Sequence, residues 1–483
     1  MESESDAYKR AKEAFVADLH GTSAREVFVL FALTPGTLWL YSELMLLLEV
    51  VGLRPVGAAN AHPAIELAVE FLVTMLPMMI SFTRAELAVP LLVSVYCLAA
   101  IFSALSWQHA KEYIHKHCRK EKMNQLLGGE LPFLTNFRGQ IMLSTCFAIL
   151  AVDFTAFPRR FAKTETFGFS VMDIGVGAFI VSSAIVSAHA RRQRPRAPGT
   201  RRPSNESSQT SLASKFYAFF RPIALVLVFG VARFLTVKGV NYQEHVTEYG
   251  VHWNFYFTLA GVYLVYSLLQ LFGDWAASPI SAVVIMLAYQ FYLSHYDGEE
   301  FILNAPRDTL FEQNREGILS LAGYTALYLL AVYIGQVIFS YVDSNGAKAL
   351  RNLRWLVITL AVATVLLVLS TYMSVRLVAR PSRRMVNLPY VLWVLAESVF
   401  LVGAYAAVQV FCMLPRVPVL FRGVNHNQLF VFIVANLATG IVNLSMRTIE
   451  ASESVAAAVL MVYMLAVCAL ATVLELKGVR IKL

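Results

Sequence analysis

The chain has 483 residues, of which 57% belong to the set AVILMFWYC and only 15% are charged, with a mean hydropathy of +0.59. A soluble domain carries about 25% charge and about 45–50% apolar residues, so this excess must face lipid or other helices. The net charge of +8 is a topology signal, because a nucleic-acid partner requires a basic soluble surface domain and none is visible.

In chain order, residues 1–25 form a polar segment of mixed charge that lacks the pattern of a cleavable signal peptide. Apolar windows of spanning length then fall near 26–50, 64–81, 86–107, 139–153, 170–189, 217–236, 253–272, 277–294, 317–340, 354–375, 386–411, 427–446 and 454–475. They predict an all-α polytopic membrane protein with about 13 transmembrane helices. The fourth window is short and reads as a half-span followed by a loop that dips into the membrane. Residues 26–189 make a first transmembrane bundle segment and 215–476 a second, with a tail at 477–483. Between them lies a linker, 190–214, rich in Arg, Pro, Ser and Gly and expected to be disordered. Lys and Arg are more numerous in the loops that contain this linker and the tail. The positive-inside rule therefore makes the linker and C-terminus cytoplasmic and the N-terminus lumenal, leaving the Asn205 sequon unused.

No phosphate-binding Gly-Lys loop, dinucleotide fingerprint, G-x-S-x-G elbow or H-E-x-x-H occurs. The five cysteines have no disulfide or zinc spacing, and no metal site is expected. Polar chemistry is concentrated at span ends instead. Asp153 closes an apolar window and is followed by Arg159, Arg160 and Lys163. Asp153 is either a general base beside Lys163 or a helix-end carboxylate paired to an arginine. Arg159 and Arg160 suit lipid or cofactor phosphates, or interfacial anchoring. A second segment packs Asn241, Tyr242, Glu244, His245, Glu248, His252, Trp253 and Asn254 into one loop. That composition suits a sugar or inositol head group, with either histidine able to act as a base near neutral pH; a capped interfacial loop is the other reading. Asn314 and Arg315 open the ninth window, and Arg383 and Arg384 form a basic cluster on the predicted lumenal side, where it hints at a phosphate partner. Asp173 opens the fifth window with Gly175 and Gly177, Arg233 falls inside the sixth, Glu397 inside the eleventh, and Asn436 and Asn443 share the twelfth. Buried Asn commonly ties helices together, so packing is the expected role of the last pair.

The stretch AVDF-x-x-FPRRFAKTE followed by MD-x-GVG, from Ala151 to Gly177, resembles the hallmark of the PIG-W family of glucosaminyl-phosphatidylinositol acyltransferases. Tyr242 to Phe255, Asn314 to Gly317, Ser382 to Met385, and Asn427 to Phe430 with Asn436, Thr439, Gly440 and Asn443 resemble further blocks in family order. The resemblance spans about 150 to 445 and excludes the linker and the extreme N-terminus. It implies transfer of a long-chain acyl group, typically palmitoyl from palmitoyl-CoA, to the inositol 2-hydroxyl of glucosaminyl-phosphatidylinositol. It also implies a multi-pass endoplasmic reticulum protein working on membrane lipids in GPI-anchor assembly, with acyl-CoA as co-substrate and no tightly bound cofactor.

A thioester is already activated, so the reaction needs no covalent serine or cysteine intermediate. Under this expectation Asp153 takes the hydroxyl proton, and Lys163 orients it or stabilises the oxyanion. The 241–254 loop holds the head group, with His245 the alternative base. Two other readings explain the spans: a lipid or solute transporter, which calls for an inverted repeat, and a non-catalytic scaffold of a membrane complex.

Overall fold

The computed structural model describes residues 4–52, 63–113, 131–193, 212–239, 246–341, 346–412 and 415–481. A polar helix, α1 (Glu4–Phe15), precedes the first apolar one, α2 (Ala24–Val50). The second window is a rod of α3 (Pro63–Glu70), a π-helical turn (Phe71–Met75) and α4 (Leu76–Thr83), and the third is α5 (Ala88–Tyr113). Then come α6 (Pro132–Ala151), α7 (Ile174–Ile185), α8 (Leu212–Gly239), the short α9 (Val246–Tyr249), α10 (Phe255–Leu271) and α11 (Pro279–His295). Two short helices, α12 (Gly298–Asn304) and α13 (Leu310–Gln313), lead into α14 (Arg315–Tyr341). The chain finishes with α15 (Gly346–Leu377), α16 (Leu388–Phe411), α17 (Val419–His426), α18 (Gln428–Ser445) and α19 (Glu453–Leu476). Among the described residues the only β pairing is an isolated bridge between Thr22 and Phe169.

Polar caps set where the apolar runs become helical. Ser23, Asn254, Ser278, Asn387 and Ser452 each accept from a backbone amide in the first turn of the helix they precede. Inside α2, Pro35 has no N–H for the Phe31 carbonyl, and the Thr34 hydroxyl donates to that carbonyl instead (2.9 Å).

Every predicted window coincides with a helix. Among the described residues, eight of these are long and apolar enough to cross a membrane: α2, the α3–α4 rod, α5, α14, α15, α16, α18 and α19. The apolar stretches of α7, α8, α10 and α11 are shorter. The fourth window departs from expectation: α6 is a 20-residue helix that begins at Pro132. Its first turns hold Asn136, Arg138 and Gln140, which hide the helix from a hydropathy window. Within the protein these groups have partners: Arg138 donates to Asn425 (2.6 Å) and Gln428 (2.7 Å), and Gln140 to Ser144 (3.2 Å). The predicted linker falls mostly on 194–211, outside the described residues.

Helices α2, α14 and α16 are largely buried and form the centre of the bundle, whereas α5 and α15 expose Val93, Ile101, Leu105, Val362, Leu366 and Leu369. Such apolar faces require lipid rather than water. α6 fixes the two ends of the molecule. Arg138 near its start meets Asn425 and Gln428, while Asp153 beyond its end meets Asn443 (2.7 Å) at the far end of α18. Twenty residues of helix separate the two ends by about 30 Å. Lys12 of α1 reaches the same Asn443, whereas Ile481 donates to Asn427, so the two terminal segments lie at opposite ends.

Candidate active site

The loop after α6 has no regular structure beyond one turn at Arg159–Phe161, yet Phe154, Phe157 and Phe161 are fully buried. Three aromatic anchors at this spacing pin an irregular chain against the bundle. Buried backbone carbonyls need donors, and Arg159 supplies them to Phe154 O (3.0 Å) and Phe157 O (2.9 Å) while stacking on Phe15. Arg160 pairs with Glu26 (2.9 Å). Lys163 is thereby presented from the inner side of the loop.

Lys163 Nζ donates to Glu248 Oε1 (2.5 Å), which comes from α9. Arg383 reaches the same carboxylate at 3.5 Å and Asp173 at 3.1 Å. Asp173 also accepts from the Thr164 amide (3.2 Å) and hydroxyl (2.8 Å), and Tyr390 donates to its carbonyl (2.7 Å). Three segments far apart in sequence thus share one chain of charge: Lys163 and Asp173 from the loop before α7, Glu248 from α9, and Arg383 from the turn before α16. Burial pushes the Lys163 ammonium below the ordinary lysine range, Arg383 and Arg233 act in the same direction, and Glu248 opposes them. Burial alone would raise the Glu248 carboxyl, but Lys163 and Arg383 outweigh it and hold it at about 2.

This chain of charge borders a cavity of about 240 Å³. Lys163, Glu248, Arg233 and Asn436 supply polar groups, and Phe31, Phe82, Ile141, Ile149, Phe179 and Phe432 are among its apolar walls. The Lys163 side chain is 37% exposed and keeps protons beyond the one given to Glu248. Asp153 does not line the cavity. It lies one turn beyond Ile149, hydrogen-bonded by Asn443, and the charges of Lys12, Arg159 and Lys163 all act on it. Asn436 and Asn443 therefore connect the two places along one face of α18.

The structure divides the remaining predicted residues. Asn241, Tyr242, Glu244 and His245 lie outside the described residues. Trp253 lines the cavity and donates to Thr258 (2.9 Å). Asn254 also lines it while capping α10 and donating to Gly230 O (2.9 Å). His252 faces Gln313 (3.2 Å), and its amide donates to Asn314 (2.8 Å), which ties the loop to the start of α14. Arg315 donates to Ile302 O (3.0 Å) and Pro306 O (2.8 Å), and Arg384 pairs with Glu316 (2.8 Å), all in a buried cluster with Arg307. The adjacent arginines of the basic cluster thus separate, Arg383 to the cavity network and Arg384 to the Glu316 cluster. The turn that parts them places Val386 at φ 54, a strained value for a β-branched residue, held by Asn387 donating to Arg380 O (2.8 Å) and accepting from Ser382 N (3.0 Å).

Asp173 and Arg233 join the site in addition to the residues expected from the sequence. Their signal was present: each is an isolated charge at or inside an apolar window, which is a functional hypothesis in a membrane protein.

Fold and pocket together define a multi-pass helical membrane protein with a charged, partly apolar chamber near one end of its bundle. The GWT1 family model matches residues 8–474, and the chain belongs to that family. GPI-anchored wall transfer protein 1 of Yarrowia lipolytica is 39% identical over 382 residues, covering 75% of this chain and 76% of that protein. The protein of the same name from Gibberella zeae is 34% identical, with 99% of each chain covered. The phosphatidylinositol-glycan biosynthesis class W protein of Dictyostelium discoideum is 30% identical, again over 99% of each chain.

Proposed function

We propose that this chain acts in GPI-anchor biosynthesis as an acyltransferase of the endoplasmic reticulum, moving palmitoyl from palmitoyl-CoA to the inositol 2-hydroxyl of glucosaminyl-phosphatidylinositol. Membership of the GWT1 family supports a transferase role in that pathway. The observation that carries the chemistry is the position of Lys163, paired with Glu248 at the polar side of a cavity whose remaining lining is largely apolar. An acyl chain suits those walls, since each buried methylene contributes about 0.8 kcal/mol.

In this reading the inositol oxygen attacks the thioester carbonyl carbon at the margin of the cavity near Ile149, one turn from Asp153, as its proton passes to Asp153. The carbonyl becomes an oxyanion, which the free protons of Lys163 stabilise; such a donor contributes about 3–4 kcal/mol. Collapse re-forms the carbonyl, breaks the C–S bond and releases CoA, whose sulfur takes the proton back from Asp153. Because Lys163 pairs with Glu248, the oxyanion role suits it better than that of orienting Asp153.

The test uses purified protein in detergent with glucosaminyl-phosphatidylinositol and labelled palmitoyl-CoA. Wild type is expected to form acylated lipid, and Asp153→Asn and Lys163→Ala to slow transfer by about 10²-fold or more while remaining folded. A detergent solution has no compartments, so a transporter would form no covalent product. Full activity in both variants would remove these two residues from the mechanism.

A further inference from the structure

Among the cations around the cavity, Arg233 differs from the rest. Lys163 is paired with Glu248, and Arg383 is shared between Glu248 and Asp173. The other arginines that sequence reasoning offers to a phosphate are engaged too: Arg159 by backbone carbonyls, Arg160 by Glu26 and Arg384 by Glu316. Arg233 has no carboxylate within ion-pair distance among the described residues. Its hydrogen bond is a long one, 3.5 Å to Asn436 Oδ1. It sits on the C-terminal part of α8 between the exposed Val231 and Leu235, and it borders the same cavity as Lys163. Among the described residues, Lys163 and Arg383 share Glu248 and Asp173, while the Arg233 guanidinium stands at the cavity beside them without a carboxylate of its own. A guanidinium in an apolar helix is costly unless it has a partner or escapes to the interface, and its planar fork matches a phosphate ester.

We propose that Arg233, oriented by Asn436, is a subsite for a phosphate ester of a substrate, beside the reacting centre at Lys163. This rests on the acyl-transfer reading above, in which both substrates carry phosphate: the lipid acceptor as a phosphodiester, the donor on its nucleotide. Asn436 acts as a positioning residue, since its amide donates to Phe432 O (2.8 Å) and so turns its oxygen to the guanidinium.

The experiment measures binding, so that it does not depend on turnover. Glycerophosphoinositol and coenzyme A are each titrated by calorimetry into purified wild type, Arg233→Gln and Arg233→Lys protein. The expected result is that one probe loses about tenfold in affinity with Arg233→Gln, the size of one lost charge-assisted hydrogen bond, and regains most of it with Arg233→Lys. Loss for glycerophosphoinositol assigns the site to the lipid phosphate, and loss for coenzyme A to the donor. Unchanged affinity for both probes, or no binding of either by wild type, overturns the proposal and leaves Arg233 as an interfacial anchor of α8. If Arg233→Gln protein does not stay monodisperse, Asn436→Leu, which frees the guanidinium without removing it, takes its place with the same two outcomes. A wild type that binds a probe through Arg233 yet transfers no acyl group would count against the catalytic reading alone.

Discussion

Glu248 is the residue on which the electrostatics of the site turn. It receives Lys163 at 2.5 Å and Arg383 at 3.5 Å, and the charge of Arg233 acts on it as well. Replacing it by Gln removes the negative charge paired with the Lys163 ammonium, while Arg383 and Arg233 continue to disfavour the charged form. The folded-state pKa of Lys163 then falls further, so the alkaline limb of a pH–rate profile is expected to move to lower pH in Glu248→Gln. An unmoved limb would mean that Lys163 does not carry the activity. The stability contribution has the opposite window. The Glu248 carboxyl is held at about 2 against an ordinary 4.5, so it stabilises the fold above about pH 4.5 and loses that effect as pH falls towards 2. Arg383 and Arg384 mark how far residue-level reading goes. Both were legible as out-of-place cations, but nothing local separates the one at the cavity from the one buried with Glu316.

At the scale of elements, the segment carrying Glu248 depends on how it docks. Gly250 has φ +114, and a Cβ there would come within 2.6 Å of Asn314 Cα and of Gln313 O. Val251 N donates to Gln313 O (2.8 Å) across the same contact. Gly250→Ala is therefore expected to destabilise the protein by about 1–3 kcal/mol, read as a lower unfolding temperature in detergent, with a loss of transfer activity as α9 shifts. Normal stability and activity would show that this docking does not position Glu248. The α6 helix carries the complementary lesson. Its apolar half was legible at 139–153, but its polar half was not, because Arg138 and Gln140 become tolerable only beside Asn425, Gln428 and Ser144.

For the whole molecule, alternation of the helices gathers the loops at 152–173, 248–254, 313–316 and 380–387 at one end, while the block that begins at Asn427 lies at the other. Gly168 N donates to Pro381 O (2.9 Å), Glu165 N to Leu19 O (2.9 Å), and Lys12 to Asn443 (2.5 Å). The N-terminal segment therefore shares an end with the candidate site, and the C-terminal segment packs at the other through Asn427. The charge asymmetry of the loops predicts that the site end is lumenal. A glycosylation acceptor fused to the N-terminus is expected to be modified in cells and one fused to the C-terminus to remain unmodified. The reverse pattern would put the site on the cytoplasmic side.

Composition and the spacing of apolar runs are enough to define a helical membrane protein, to place most of its apolar helices, and to mark the loops that hold unusual polar groups. These are properties of contiguous residues, and burial of a long apolar run has few solutions. Which charges meet is a property of the folded bundle alone. Arg383 finds Asp173, Lys163 finds Glu248 and Asp153 finds Asn443 across long stretches of chain. Pairing in a low-dielectric interior depends on distances of a few ångströms, and no local pattern encodes them.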